Sequence, residues 1–181
     1  MKKSVLSLIA VLLAFHINAQ QYITKTGTIK FSSHTDLEDI KAENRKVVSA
    51  LDSKTGALEF SLLMKGFDFP NDLMEQHFNE SYVESSKYPK ATFKGTVTDI
   101  SNVNFAKDGT YKVKYTGKLT IKNVTRDVTG DATITVKGDK VTATSNQKIK
   151  PADYNISIPA PVAGKIAEVI NVDINMDYKK K

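Results

Sequence analysis

Hydrophobic and polar residues alternate along most of this chain, with the period of two that marks half-buried β-strands. The longest run lies at residues 111–122. Tyr111, Val113, Tyr115, Gly117, Leu119 and Ile121 face one way there, and Lys112, Lys114, Thr116, Lys118, Thr120 and Lys122 the other. The same grammar predicts strands at 27–31, 47–51, 58–65, 91–100, 128–136, 141–149 and 170–178. Turn-type residues separate several of them, at 52–56, 106–109, 123–127 and 137–139. Residues 38–46 are polar and charged and read as a loop or an irregular edge. Residues 151–164 are apolar and proline-rich and read as a connection.

About eight strands in up-and-down order leave costly unpaired edges unless the sheet closes. The predicted fold is therefore all-β: an eight-stranded antiparallel barrel, lipocalin-like in form, whose interior holds either side chains or one ligand. Small inward positions (Gly95, Gly117, Gly130, Ala132, Ala143) either hollow that interior or mark bends in the strands.

The period changes once, within residues 67–95. Leu73, Met74, Phe78 and Tyr82 recur at helical spacing, so a short helical insert is predicted. Asn71 or Asp72 is placed to cap it, and Lys87-Tyr88-Pro89 to stop it. An apolar insert in a barrel protein covers or plugs something.

The first residues change the address of the protein. Met1-Lys2-Lys3 precedes the uncharged apolar run 5–15 and Ile17-Asn18-Ala19, the layout of a signal peptide cut after residue 19. That run is too short to span a bilayer, which takes roughly 20 residues. The expected organisation is a signal peptide at 1–19 and one barrel domain at 20–181, in a periplasmic or secreted protein without a transmembrane segment. Removing Lys2 and Lys3 lowers the formal charge from +6 to +4. This is too mild, and too scattered over wet strand faces, to point to nucleic acid. The absence of cysteine removes disulfides, thiol catalysis and thiolate metal sites.

Little else suggests chemistry. Beyond the signal segment only His34 and His77 remain. His77, Glu80 and Glu84 have helical spacing, but without a second histidine they make a poor metal site and no metal is expected. No serine sits in a Gly-x-Ser-x-Gly elbow, and the carboxylate pairs Asp68/Asp72 and Glu80/Glu84 read as solvated charges. The expectation is a protein that is not an enzyme and has no cofactor.

Four segments taken together carry a resemblance: Gly27-x-Ile29-x-Phe31; residues 73–95 with His77-Phe78-Asn79-Glu80, Lys87-Tyr88-Pro89 and Ala91-Thr92-Phe93; Gly117-Lys118-Leu119-Thr120-Ile121-x-x-Val124-Thr125; and Asp153-Tyr154-x-Ile156-x-Ile158-Pro159. With these the chain resembles the YceI-like family of exported lipid-binding proteins. At 31–35, Phe-Ser-Ser-His-Thr departs from the Asp-x-x-His-Ser opening of many members. The chain is also similar to a shorter branch, which implies a shallower interior or one filled by Phe60, Met64 and Phe93.

The resemblance implies a lipocalin-like barrel that carries a polyisoprenoid, a quinone or a related amphiphilic lipid as ligand, without catalysis. The inward parity then nominates Phe31, Phe60, Leu62, Met64, Phe93, Val113, Tyr115, Leu119, Ile134, Val172, Ile174 and Met176 as lining. Phe67, Phe69, Leu73, Met74, Phe78 and Tyr82 would shape the mouth, and the hydroxyl of Tyr115 or Tyr111 would orient a head group. A homodimer is compatible with this reading. The rival is a filled, ligand-free barrel that acts in envelope stress or protein interaction through its insert and the 151–164 loop.

Overall fold

Long alternating strands escape their edge problem here by closing on themselves. The computed structural model describes residues 21–181; the expected signal segment 1–19 lies outside them. The strands are β1 (Gln21–His34), β2 (Asp39–Asp52), β3 (Ala57–Leu63), β4 (Lys90–Val97), β5 (Gly109–Ile121), β6 (Val124–Lys137), β7 (Lys140–Ile149) and β8 (Ile170–Lys180). They pair in chain order, all antiparallel, and β8 closes on β1. The β5–β6 hairpin turns on Lys122-Asn123, with φ of 47° and 60°. Positive φ at both central residues marks a type I′ turn, whose twist suits the flanking strands.

Three expectations need correction. The polar stretch 38–46 is not a loop, because β2 runs through it. The register shifts between the Gly27↔Val47 and Ile29↔Asn44 pairs, so a bulge breaks the alternation that the sequence would otherwise display. Asn44 is turned inward and fully buried, where Nδ2 donates to the Leu63 carbonyl and Oδ1 accepts from the Lys46 amide. β1 is also far longer than residues 27–31, for the same reason of shifted parity. The helical insert ends sooner than Pro89: helix α1 (Asp72–His77) passes into a π turn, Phe78–Tyr82, and Glu84 then breaks it at φ 49°.

The two ends of the barrel are built differently. At one end Tyr22, Leu51, Val97, Ile100, Val103, Val113, Ile134, Val136 and Val141 are buried together. The ring of Phe105, from the β4–β5 connection, stacks on Tyr22 at 5.1 Å. The other end carries the two long connections, residues 64–89 and 150–169.

Candidate ligand-binding site

Between those ends lies an apolar cavity of about 510 Å³. Its floor is formed where Tyr178 OH meets Ser49 Oγ at 2.8 Å, and Ser49 Oγ donates onward to the Glu59 carbonyl. Burial pushes the Tyr178 phenol up to about 12, so it stays neutral and donates. Ile29, Met176 and Ile174 lie in the wall, and Ile121, Ile149, Ile156 and Ile170 lead to the mouth. From Tyr178 to Ile170 the inward face of β8 runs over nine residues, eight residue-to-residue rises. That is about 26 Å of strand, or about 20 Å along a barrel axis at the usual tilt.

The inward glycines are not empty space. Gly95 faces Gly117 across the β4–β5 pair, and a Cβ on either would come within 2.6 Å of the Phe93 ring. A Cβ on Gly130 would stand 2.4 Å from the Tyr115 hydroxyl. The missing side chains thus let two rings lie flat against the wall. Phe93 stacks on Phe60 at 5.1 Å and meets Tyr115 edge-on at 5.9 Å, an arrangement that favours aromatic pairs. The lumen stays open because these rings line it instead of crossing it.

The insert is seated over the mouth by three devices. Phe31 of β1 packs against Phe67, Phe69 and Phe78, with ring centroids 5.2–5.7 Å apart. Glu43 and Asp68 exchange backbone hydrogen bonds, which docks the insert on the upper half of β2. Lys122, held in its left-handed turn conformation, reaches Glu84 at 2.6 Å and donates to the Tyr82 carbonyl at 3.0 Å. That ammonium holds the Glu84 carboxyl below its ordinary value of 4.5. Asn71, not Asp72, caps α1 by accepting from the Met74 amide. Across the mouth, Arg126 Nε donates to the Asp153 carbonyl and Ser33 Oγ accepts from the Ala167 amide, which brace the second connection.

Of the residues nominated from strand parity all except Val113 and Ile134 line the cavity (Phe31, Phe60, Leu62, Met64, Phe93, Tyr115, Leu119, Val172, Ile174 and Met176), and Phe78 and Tyr82 of the insert line it too. Val113 and Ile134 have the correct parity but lie too near the closed end, where they pack as core. Phe67, Leu73 and Met74 also reach the cavity; Phe69 packs behind it on Phe31 and Phe78. Tyr111 does not point at the lumen, since its hydroxyl is taken by the Asn104 and Lys107 carbonyls. Ser145, Gln147, Ile149, Ile156, Ile158 and Ile166 line the cavity without having been nominated. The inward parity of residues 141–149 was the signal for Ser145, Gln147 and Ile149; the other three follow no strand period.

His34 is exposed and pairs through Nδ1 with Asp39, which raises its pKa; it lies outside the cavity. His77 stands at the rim. Among the described residues no group of three His, Cys, Asp or Glu is gathered to hold a metal. No helix among them is long and apolar enough to cross a membrane.

The profile of the YceI-like domain matches residues 13–178. The chain belongs to the YceI-like family. Solved structures share its fold at low identity. A polyisoprenoid binding domain from Saccharophagus degradans, implicated in plant cell wall breakdown, superposes with a TM-score of 0.76 at 14% identity, covering 90% of this chain and 99% of that one. BcnA of Burkholderia cenocepacia gives 0.68 at 19%, covering 83% and 95%. The Campylobacter jejuni YCEI protein gives 0.56 at 20%, covering 100% and 99%. At such identities the likeness speaks for the YceI-like barrel and not for a shared ligand. None of the curated proteins matches the chain in sequence.

Proposed function

We propose that this YceI-like protein is an exported, periplasmic or secreted, carrier of a long amphiphilic lipid of the isoprenoid or quinone type, and that it binds without catalysis. One observation carries the reading: the barrel encloses about 510 Å³ of apolar space, elongated along the strands and opening under a fastened insert. A volume of several hundred Å³ is the scale of a small-molecule site, and a filled barrel would lack it. Each methylene moved from water into such a lumen gains about 0.8 kcal/mol, so a long chain needs no polar motif to hold it. The name given to the Saccharophagus degradans domain is consistent with a prenyl chain as the cargo.

The filled-barrel rival draws on Leu37 and Leu73, which are 70% and 58% exposed. Leu73 lies at the rim and Leu37 beside Gly164 of the second connection, so both also suit a mouth that meets a lipid surface. Native mass spectrometry of the mature protein, purified from its own envelope, separates the two. A stoichiometric adduct that extracts as a prenyl lipid is the expected result. A bare mass that stays bare after incubation with isoprenoid quinones would overturn the carrier and leave the surface reading.

A further inference from the structure

The depth of the lumen is set by a side chain that three strands hold in place. Tyr178 of β8 reaches past β1 to Ser49 of β2, and Ser49 passes the hydrogen bond on to the Glu59 carbonyl of β3. The phenol is buried, and so are Leu51, Val136 and Val141 beyond it, which the cavity does not reach. Met176 adds a second layer above Tyr178. It lies against Gly27, which has no Cβ to displace its sulfur.

The polar groups of the lining are sorted by height. At the floor, the two hydroxyls are satisfied by each other and by Glu59. On the wall, a cluster of Tyr115, Ser145 and Gln147 bonds to itself where the β6–β7 ladder stops after Ala132↔Ser145. The charged residues of the lining, Glu38 and Lys165, stand at the mouth 3.6 Å apart. A lipid therefore fits with its tail on the floor and its head at the mouth.

The room for that tail is finite. The inward face of β8 gives about 20 Å of depth along the axis. An isoprene unit, four chain bonds of about 1.5 Å in zigzag, advances about 5 Å. A chain carbon with its hydrogens takes about the 30 Å³ of a water in the liquid, so the 510 Å³ of the cavity holds about 17 of them. Depth and volume both run out near four isoprene units.

We propose that the barrel is a ruler for its cargo: it selects prenyl lipids of about four isoprene units, takes them tail first, and stops them at Tyr178. A longer chain leaves apolar carbons in water above the mouth, and each such methylene lowers affinity about fourfold. The assignment rests on the carrier reading and adds to it a chain length, an orientation and the residue that sets the limit.

The test offers the full mature protein an equimolar set of prenyl alcohols of two to eight isoprene units in phosphatidylcholine vesicles. The protein is then separated, and its bound alcohols are extracted and compared with those left in the vesicles. Enrichment should peak at about four units, with the eight-unit alcohol at least about a hundredfold below it. Ala143 lines the lumen one inward step above the Val141↔Tyr178 pair. Ala143→Phe adds about one unit's worth of carbon there and should move the peak to about three units. Ala143→Leu, a smaller filling, should shift the balance the same way and serves if the first variant does not fold. Uptake that stays level or rises from four to eight units in the parent protein, or a peak that the filling does not move, would overturn the ruler while the carrier stands. Recovery of no alcohol of any length would remove the carrier reading, and the ruler with it.

Discussion

The closed end and the mouth of this barrel use the same alternation to opposite effect. At the closed end, Val113, Ile134, Val136 and Val141 fill the interior and are at most 2% exposed. At the mouth, Ile121, Ile149 and Ile170 belong to the same kind of apolar series, yet they remain only partly buried. What differs is the connections. The closed end is crossed by the short turns at 53–56 and 138–139 and capped by the 100–105 segment, whereas 64–89 and 150–169 arch over the mouth. A lumen survives where the chain roofs the barrel from outside instead of packing into it. Stability is thus concentrated at one end and binding at the other.

The strongest way to break that contrast is truncation on both sides. Ile134→Ala should cost about 2–5 kcal/mol, as for other large-to-small changes in a tight core, and leave ligand affinity alone. Ile149→Ala at the mouth should cost less than about 1.5 kcal/mol because its site is already half open, and should weaken binding. Urea unfolding with and without a prenyl lipid measures both; equal losses of stability would mean the ends do not differ.

A second contrast comes from alkaline pH. The folded protein holds Tyr178 at about 12 against an ordinary 10.0, so the unfolded chain gives up this proton first. The stability is fully present below pH 10 and falls as pH rises towards 12, by about 3 kcal/mol in total. Ultraviolet titration should show this phenol ionising only with unfolding, and Tyr178→Phe should flatten the loss. A Tyr178 that ionises freely in the folded state would mean the floor is wet.

The clasp on the insert should respond in the acid range. The Glu84 carboxyl lies below 4.5 when folded, so its contribution is present above that value and is lost as pH falls through the depressed one. Hydrogen exchange of residues 72–88 should therefore speed up in acid, and in Lys122→Met it should be fast already at neutral pH, with the closed end unaffected. Protection that ignores both changes would assign the seating of the insert to the phenylalanine cluster alone.

The smallest effect belongs to His34. Its pKa lies above 6.5 through Asp39, so the pairing helps below that value and fades as pH rises through the shifted one. The pair is solvent-exposed, and such pairs contribute little. His34→Ala should leave the urea midpoint within experimental scatter; a clear shift would mark the β1–β2 turn as a third anchored region.

Strand parity, the helical insert and most lining residues were legible because a half-buried strand writes its two faces into alternate positions. Parity gives direction but not depth, and so Val113 and Ile134 entered the site although the cavity does not reach them. The bulge in β2 shifted the alternation, and a charged run around the inward Asn44 looked like a loop. The π turn at Phe78–Tyr82 was likewise hidden, since five-residue hydrogen bonding leaves no distinct period in so short a segment.

By itself the sequence determined the closed antiparallel barrel, its chain order and the family, because long alternating strands with tight turns have few other ways to satisfy their edges. Only the tertiary structure decided that the lumen is open and where its polar cluster stands. Both depend on non-local geometry: Phe93 lies against the Gly95–Gly117 pair, Tyr115 fits into the space left by Gly130, and the β6–β7 ladder stops beside Gln147. Those are relations between residues on different strands, and no local pattern encodes them.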